Sequence, residues 1–166
     1  MEWFSAPVAG GIAFAALGLV GAVGWKPWRL RRKAAEVRES VRRFRFQREM
    51  LEAKFFDLAS TLGKPRGLRW LDCEWHDEVR FARDVNSGLL TAFVGVNIRF
   101  EAVEGGDMEG VAAVSDVRDA AAVFHYRNGR WGTGGRALFN MDPNEAVIRL
   151  QGQFEPVQIE PSAPRV

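Results

Sequence analysis

A chain of 166 residues has room for one domain, and an apolar run fills its first 25 residues, leaving roughly 90 to 100 with globular patterning, enough for a modest core. The formal charge of +2 divides unevenly: residues 26–48 carry ten Lys or Arg against two Glu, a net of +8, and residues 49–166 carry thirteen basic against eighteen acidic, a net of −5. A basic collar beside an acidic domain points to a negatively charged surface near the collar, and the single cysteine, Cys73, excludes an internal disulfide.

Residues 3–25 read WFSAPVAGGIAFAALGLVGAVGW, without a charged side chain. At ~1.5 Å per residue they give ~34 Å of helix, enough to cross a hydrocarbon core of ~30 Å. Trp3 at one end, and Trp25 and Trp28 at the other, sit where an aromatic belt belongs, and Pro27 marks the exit. A buried soluble helix is not normally apolar on every side before ending in a basic cluster. A cleaved signal peptide opens with Lys or Arg. Here Glu2 is the only charged side chain before the run, and Lys26, Arg29, Arg31, Arg32 and Lys33 all follow it. Residues 1–27 are therefore expected to be a single-pass anchor in the plasma (inner) membrane. The positive-inside rule puts the amino terminus outside and the carboxyl-terminal domain in the cytoplasm. The pairs Gly11/Ala15 and Gly18/Ala22 have the spacing for close helix–helix approach and weak self-association, a spacing that also arises readily by chance in an Ala/Gly-rich span.

Residues 28–63 predict a basic juxtamembrane amphipathic helix. Leu30, Ala34, Val37, Val41, Phe44, Leu51, Phe55, Leu58 and Leu62 recur at alternating steps of four and three, with Arg48 in the one missing step. Gly63 and Pro65 are stop signals, so the expectation is one helix ~50 Å long. The charges of Arg31, Lys33, Arg38 and Arg45 beside the seam disfavour a parallel coiled coil. A strand spans only ~17–20 Å, so a small sheet covers the later half of such a helix and leaves the earlier half to the membrane surface. Arg29, Arg31, Arg32, Lys33, Arg42, Arg43 and Arg45 are the candidate contacts to anionic lipid head groups, at ~1 kcal/mol per basic residue. Arginine interleaved with Phe44 and Phe46 also suits nucleic acid, since both side chains stack on bases. So close to a bilayer, the lipid reading outweighs it.

Residues 64–152 read as a β-rich domain. Leu71, Cys73, Trp75, Val79 and Phe81 alternate with Asp72, Glu74, His76, Glu78 and Arg80, which predicts a strand with the odd set buried. Asn86-Ser87-Gly88 is a turn signal, and Leu90, Ala92, Val94, Val96, Ile98 and Phe100 then continue the alternation. Residues 107–118 carry no pattern. Residues 122–126 predict a strand, Asn128-Gly129 a tight hairpin turn, and residues 130–139 the return strand. Asp142, Pro143 and Glu145 begin a short helix running to about Leu150, and residues 153–166 are expected to be a disordered tail. The fold class is α+β: a long helix, then a small antiparallel sheet of about four strands covered on one face. This order resembles the cystatin-like and NTF2-like rolls in architecture. No residue motif carries the likeness, so it transfers no functional residue.

Chemistry-bearing residues are few. Cys73 and His76 lie three apart on a strand and point to opposite faces, and with His125 they lack zinc-ligand spacing. No metal or cofactor is expected. Gly132, Gly134 and Gly135 lie inside a hairpin's return strand, so a bulge, a bend or a close approach of another segment explains them better than a phosphate loop. Arg127 and Arg130 flank the Asn-Gly turn and are weak candidates for binding an anion or partner. The expected function is a non-catalytic, membrane-tethered interaction or scaffold domain facing the cytoplasm, with an unknown protein partner. The alternative is a small ligand-binding or enzymatic roll with a pocket near Trp70, Trp75 and His76.

Overall fold

The computed structural model describes residues 31, 33–63 and 66–159. The expected anchor, Arg29, Arg32 and the end of the expected tail lie outside the described residues. Among the described residues no helix is long and apolar enough to cross a membrane. Contacts divide the chain into two compact units, Met1–Glu39 and Ser40–Val166, and the sheet belongs wholly to the second. Arg31 and Lys33, in the first, are helical and exposed.

The long helix is two helices. Residues 33–46 form α1, Gln47 is a turn, and Arg48–Leu62 form α2. Gln47 adopts φ −101° and ψ 8°, outside the helical region, and its N–H is shared between the carbonyls of Arg43 at 3.0 Å and Phe44 at 3.1 Å. The break falls at the step where Arg48 interrupts the apolar period. Arg48 turns inward, donating to Glu52 at 2.6 Å and to the backbone oxygen of His76. Bending there lets both halves reach the sheet, against the expectation that only the later half does so. Val41 and Phe44 of α1 are buried, as are Leu51, Phe55 and Ala59 of α2. Leu62, expected on the apolar seam, is exposed.

The sheet has five antiparallel strands curled into a half-barrel, in the order β4-β3-β2-β1-β5. These are β1 (Leu68–Asp84), β2 (Leu90–Ala102), β3 (Arg118–Arg127), β4 (Arg130–Phe139) and β5 (Phe154–Pro156). A 3₁₀ turn, Ala112–Ser115, lies in the unpatterned stretch before β3. The turns are those expected. Asp84 accepts from the N–H groups of Asn86 and Ser87 to close β1–β2, and Asn128 and Gly129 take φ 52° and 78° to close β3–β4. The helix Pro143–Arg149, α3, starts from a capping box between Asp142 and Glu145.

The alternation on β1 is only partly kept. Bulges fall between Trp70 and Asp72 and between Trp75 and Val79. The first turns Leu71 out, leaving it 51% exposed, and puts Trp70 in the core at 6%. Trp70, Trp75 and Phe81 then share one face with the buried alternate residues of β2. Against that face pack Phe44 and Phe55. Phe44 lies 4.9 Å from Trp131 and 5.5 Å from Phe81, and Phe55 lies 5.4 Å from Trp75 and 5.8 Å from Phe124 (ring centroids). The first three of these pairs are edge-on, and such pairs add to what area burial alone contributes.

The opposite face is also covered, where the sequence pattern predicts an open one. Ala82, Phe93, Ala121, Val123, Ala146 and Phe154 form a second buried cluster, with Leu138, Val147 and Leu150 packed against it. Phe154 stands edge-on to Phe93 at 5.1 Å and brings in β5, which pairs with Ala82–Asp84 of β1. Residues expected in the tail thus supply a fifth strand.

Candidate functional site

The sequence marks two arginine groups some 80 residues apart, and the fold places them at one end of the domain. Trp131, just past the β3–β4 turn, is buried against Phe44, and its Nε1 donates to the backbone oxygen of Ser40 at 2.7 Å. Arg43 reaches from α1 to donate to the backbone oxygen of Gly129 at 3.3 Å. Arg127 and Arg130 face each other across the turn, as expected, and both are exposed. Arg42, Arg43 and Arg45 are exposed on the neighbouring helix. Like charges held close repel one another, and an anion nearby relieves that repulsion. The sequence signal was the hydrophobic Trp131 beside a turn that carries two arginines, which needs a partner segment to cover it.

On the face away from α1 and α2 lies an open depression of about 460 Å³, lined by residues that include His76, Glu78, Asn97, Asp119, Asp142 and Glu145. Gly95 lines it where a Cβ would come 3.2 Å from that of His76. The Asn97 Oδ1 is buried with no hydrogen-bond partner among the described residues. Several of the acids have structural work: Glu78 accepts from Asn144 at 2.6 Å, and Asp142 and Glu145 cap α3. Among the described residues no three of His, Cys, Asp and Glu are grouped to hold a metal ion. The pocket expected from Trp70, Trp75 and His76 is not built by those three. The two indoles pack on Phe55 beneath the helix, while His76 lines the other face.

Cys73 and His76 fall on opposite faces, as strand parity implies: Cys73 pairs with Ile98 of the helix-covered side. Burial, with help from Asp72, pushes the Cys73 thiol up to about 12, so it stays protonated at neutral pH. His125 is hydrogen-bonded through Nδ1 to the buried hydroxyl of Thr91 at 3.1 Å. Burial lowers its pKa below the ordinary value, with a smaller push from Arg136 against the opposite pull of Asp84. Gly135 takes φ 72°, and a Cβ there would meet the backbone N of Ala59 at 2.7 Å. Gly135 thus admits the α2 backbone, one of the explanations expected for these glycines, while Gly132 and Gly134 have no neighbour within 4 Å of a Cβ position.

No protein-family model, curated protein or solved structure matches the chain.

Proposed function

We propose that this is a membrane-tethered, cytoplasm-facing interaction domain without catalytic activity. The observation that carries the reading is the basic end at which Arg43, beside Arg42 and Arg45 on α1, reaches the hairpin tip that carries Arg127 and Arg130. The apolar run of residues 3–25 stands close before it in sequence. A tether at that position concentrates the domain at an anionic inner face, where weak contacts to a partner gain effective concentration. The space between helices and sheet is filled by aromatic rings, and the Cys73 thiol is held protonated.

The test is topological and chemical together. A reporter active only in the cytoplasm, fused after Val166, is expected to work, and replacing His76 and His125 by Ala in folded protein leaves the cellular role intact. Recovery of protein lacking residues 1–25, or a tail accessible from outside, overturns the tether. Loss of the role in the folded histidine variant shifts the reading to a ligand-binding or enzymatic roll. The depression holding Asn97 is the observation that favours this second reading.

A further inference from the structure

Phe46 is 91% exposed and Met50 is 61% exposed, side by side where α1 gives way to α2. Neither contributes to a core that already buries Val41, Phe44, Leu51 and Phe55 on the other side of these helices. Phe46 lies one turn beyond Arg42 and Arg43, on their strip of the helix surface, with Arg45 adjacent. Arg43 in turn touches the tip that carries Arg127 and Arg130. A bare phenylalanine with Arg42, Arg43 and Arg45 on one side and Glu49 on the other is costly in water and suits an apolar layer just beneath a layer of negative charge.

We infer that the break between α1 and α2 is a lipid-docking site, at which Phe46, with Met50 beside it, enters the interface of an anionic bilayer while Arg42, Arg43, Arg45, Arg127 and Arg130 meet its head groups. The inference rests on the tether reading and deepens it, for it gives the domain a fixed face toward the membrane rather than a loose position below it. Amphipathic segments bind interfaces in this way, by shallow burial of an apolar ridge plus attraction to anionic lipid. A second copy of the chain is a poor occupant, because two such ends would bring their arginines together. The hairpin is what makes the site composite: the Trp131–Ser40 bond, the packing of Trp131 on Phe44 and the Arg43–Gly129 bond together hold its two arginines beside the helix.

The experiment uses the full chain reconstituted into vesicles of phosphatidylserine and phosphatidylcholine, and into phosphatidylcholine alone. An environment-sensitive fluorophore is placed on Phe46→Cys in a Cys73→Ser background. A matching label on Ile148→Cys, exposed on α3, serves as the reference. If Cys73→Ser disturbs folding, Cys73 can stay, since it is half-buried and its thiol is held protonated. The label at 46 is expected to shift to the blue and to be quenched from within the bilayer in anionic vesicles only, while the label at 148 stays in water. Changing both Arg127 and Arg130 to Gln should lower the docked-to-undocked ratio about 30-fold, the equivalent of ~1 kcal/mol per basic residue near such a surface. An aqueous label at 46 in chain that resists an alkaline wash overturns the docking site and leaves the tether standing. Chain that washes off overturns the tether, and the same fluorescence reading on unwashed vesicles still decides the docking site.

Discussion

The indole of Trp131 donates across 2.7 Å to the carbonyl of Ser40, a residue 91 positions away. This buried bond ties the tip of the β3–β4 hairpin to the first helix, and the Trp131 ring fills the corner between Phe44, Phe81 and Tyr126.

Replacing Trp131 by Phe keeps most of the packing and removes the donor. The expected cost is about 1 kcal/mol, the net worth of one such bond, since the Ser40 oxygen keeps its place in the helix. Trp131→Ala adds a cavity, for about 3–5 kcal/mol in all. Urea midpoints of the detergent-solubilised chain measure both, and a Trp131→Phe chain as stable as the parent would contradict the bond's role.

Phe55 is fully buried between Trp70, Trp75 and Phe124, whereas Trp75 is only half-buried. Phe55→Ala should therefore cost about 3–5 kcal/mol and Trp75→Ala less, although Trp75 is the larger side chain. A larger loss at Trp75 in the same unfolding measurement would show that the helix–sheet contact is centred elsewhere.

Gly135 and Gly134 are neighbours with opposite constraints. At Gly135 a Cβ collides with the backbone of Ala59 in a left-handed conformation, while at Gly134 nothing lies within 4 Å. Gly135→Ala is expected to lose more than ~2 kcal/mol as strain and helix displacement add, and Gly134→Ala to stay within ~1 kcal/mol of neutral. Thermal melts of the pair decide, and parity between them would rule out the close approach of α2.

His125 gives a pH dependence with a fixed sign. Its folded pKa is lowered, mainly by burial, so the unfolded chain takes up the proton first. Stability is fully present above about pH 6.5, the ordinary histidine value, and is lost as pH falls from there through the folded value. Asp72, held below the usual carboxylate range by its hydrogen bond from Arg99, and Asp84, held down by Ser87, lose their contributions only in a more acidic window. His125→Asn should flatten the urea midpoint between pH 7 and pH 5, taken as about the histidine range. An unchanged slope in the variant would assign the dependence to other groups.

Local chemistry was legible wherever it acts locally. The Asn128-Gly129 turn, the Asp142–Glu145 capping box and the even-numbered core residues of β2 all follow from a few adjacent residues. What escaped depends on partners distant in sequence. Leu71 obeys the alternation in sequence and breaks it in space, because a bulge opposite β2 is invisible to parity. Phe154 looks like part of a tail until Phe93 offers it a neighbour. The site shows the same division. Each arginine group was visible alone, and their union depends on contacts some 90 residues apart, Trp131 with Ser40 and Arg43 with Gly129.

The two bulges of β1 also bear on how this chain avoids its own kind. Among the described residues β5 and its flanking residues bond the outer side of β1 only between Phe81 and its end, so most of a 17-residue strand forms the border of the sheet. A straight border of that length would be a template for strand-by-strand stacking between molecules. Here the irregularities after Trp70 and after Trp75 cut it into short runs whose backbone groups do not share one spacing. An incoming strand can pair with one run only by losing register with the next, so the distortion that re-aims Trp70, together with the second bulge, also guards the sheet against polymerisation.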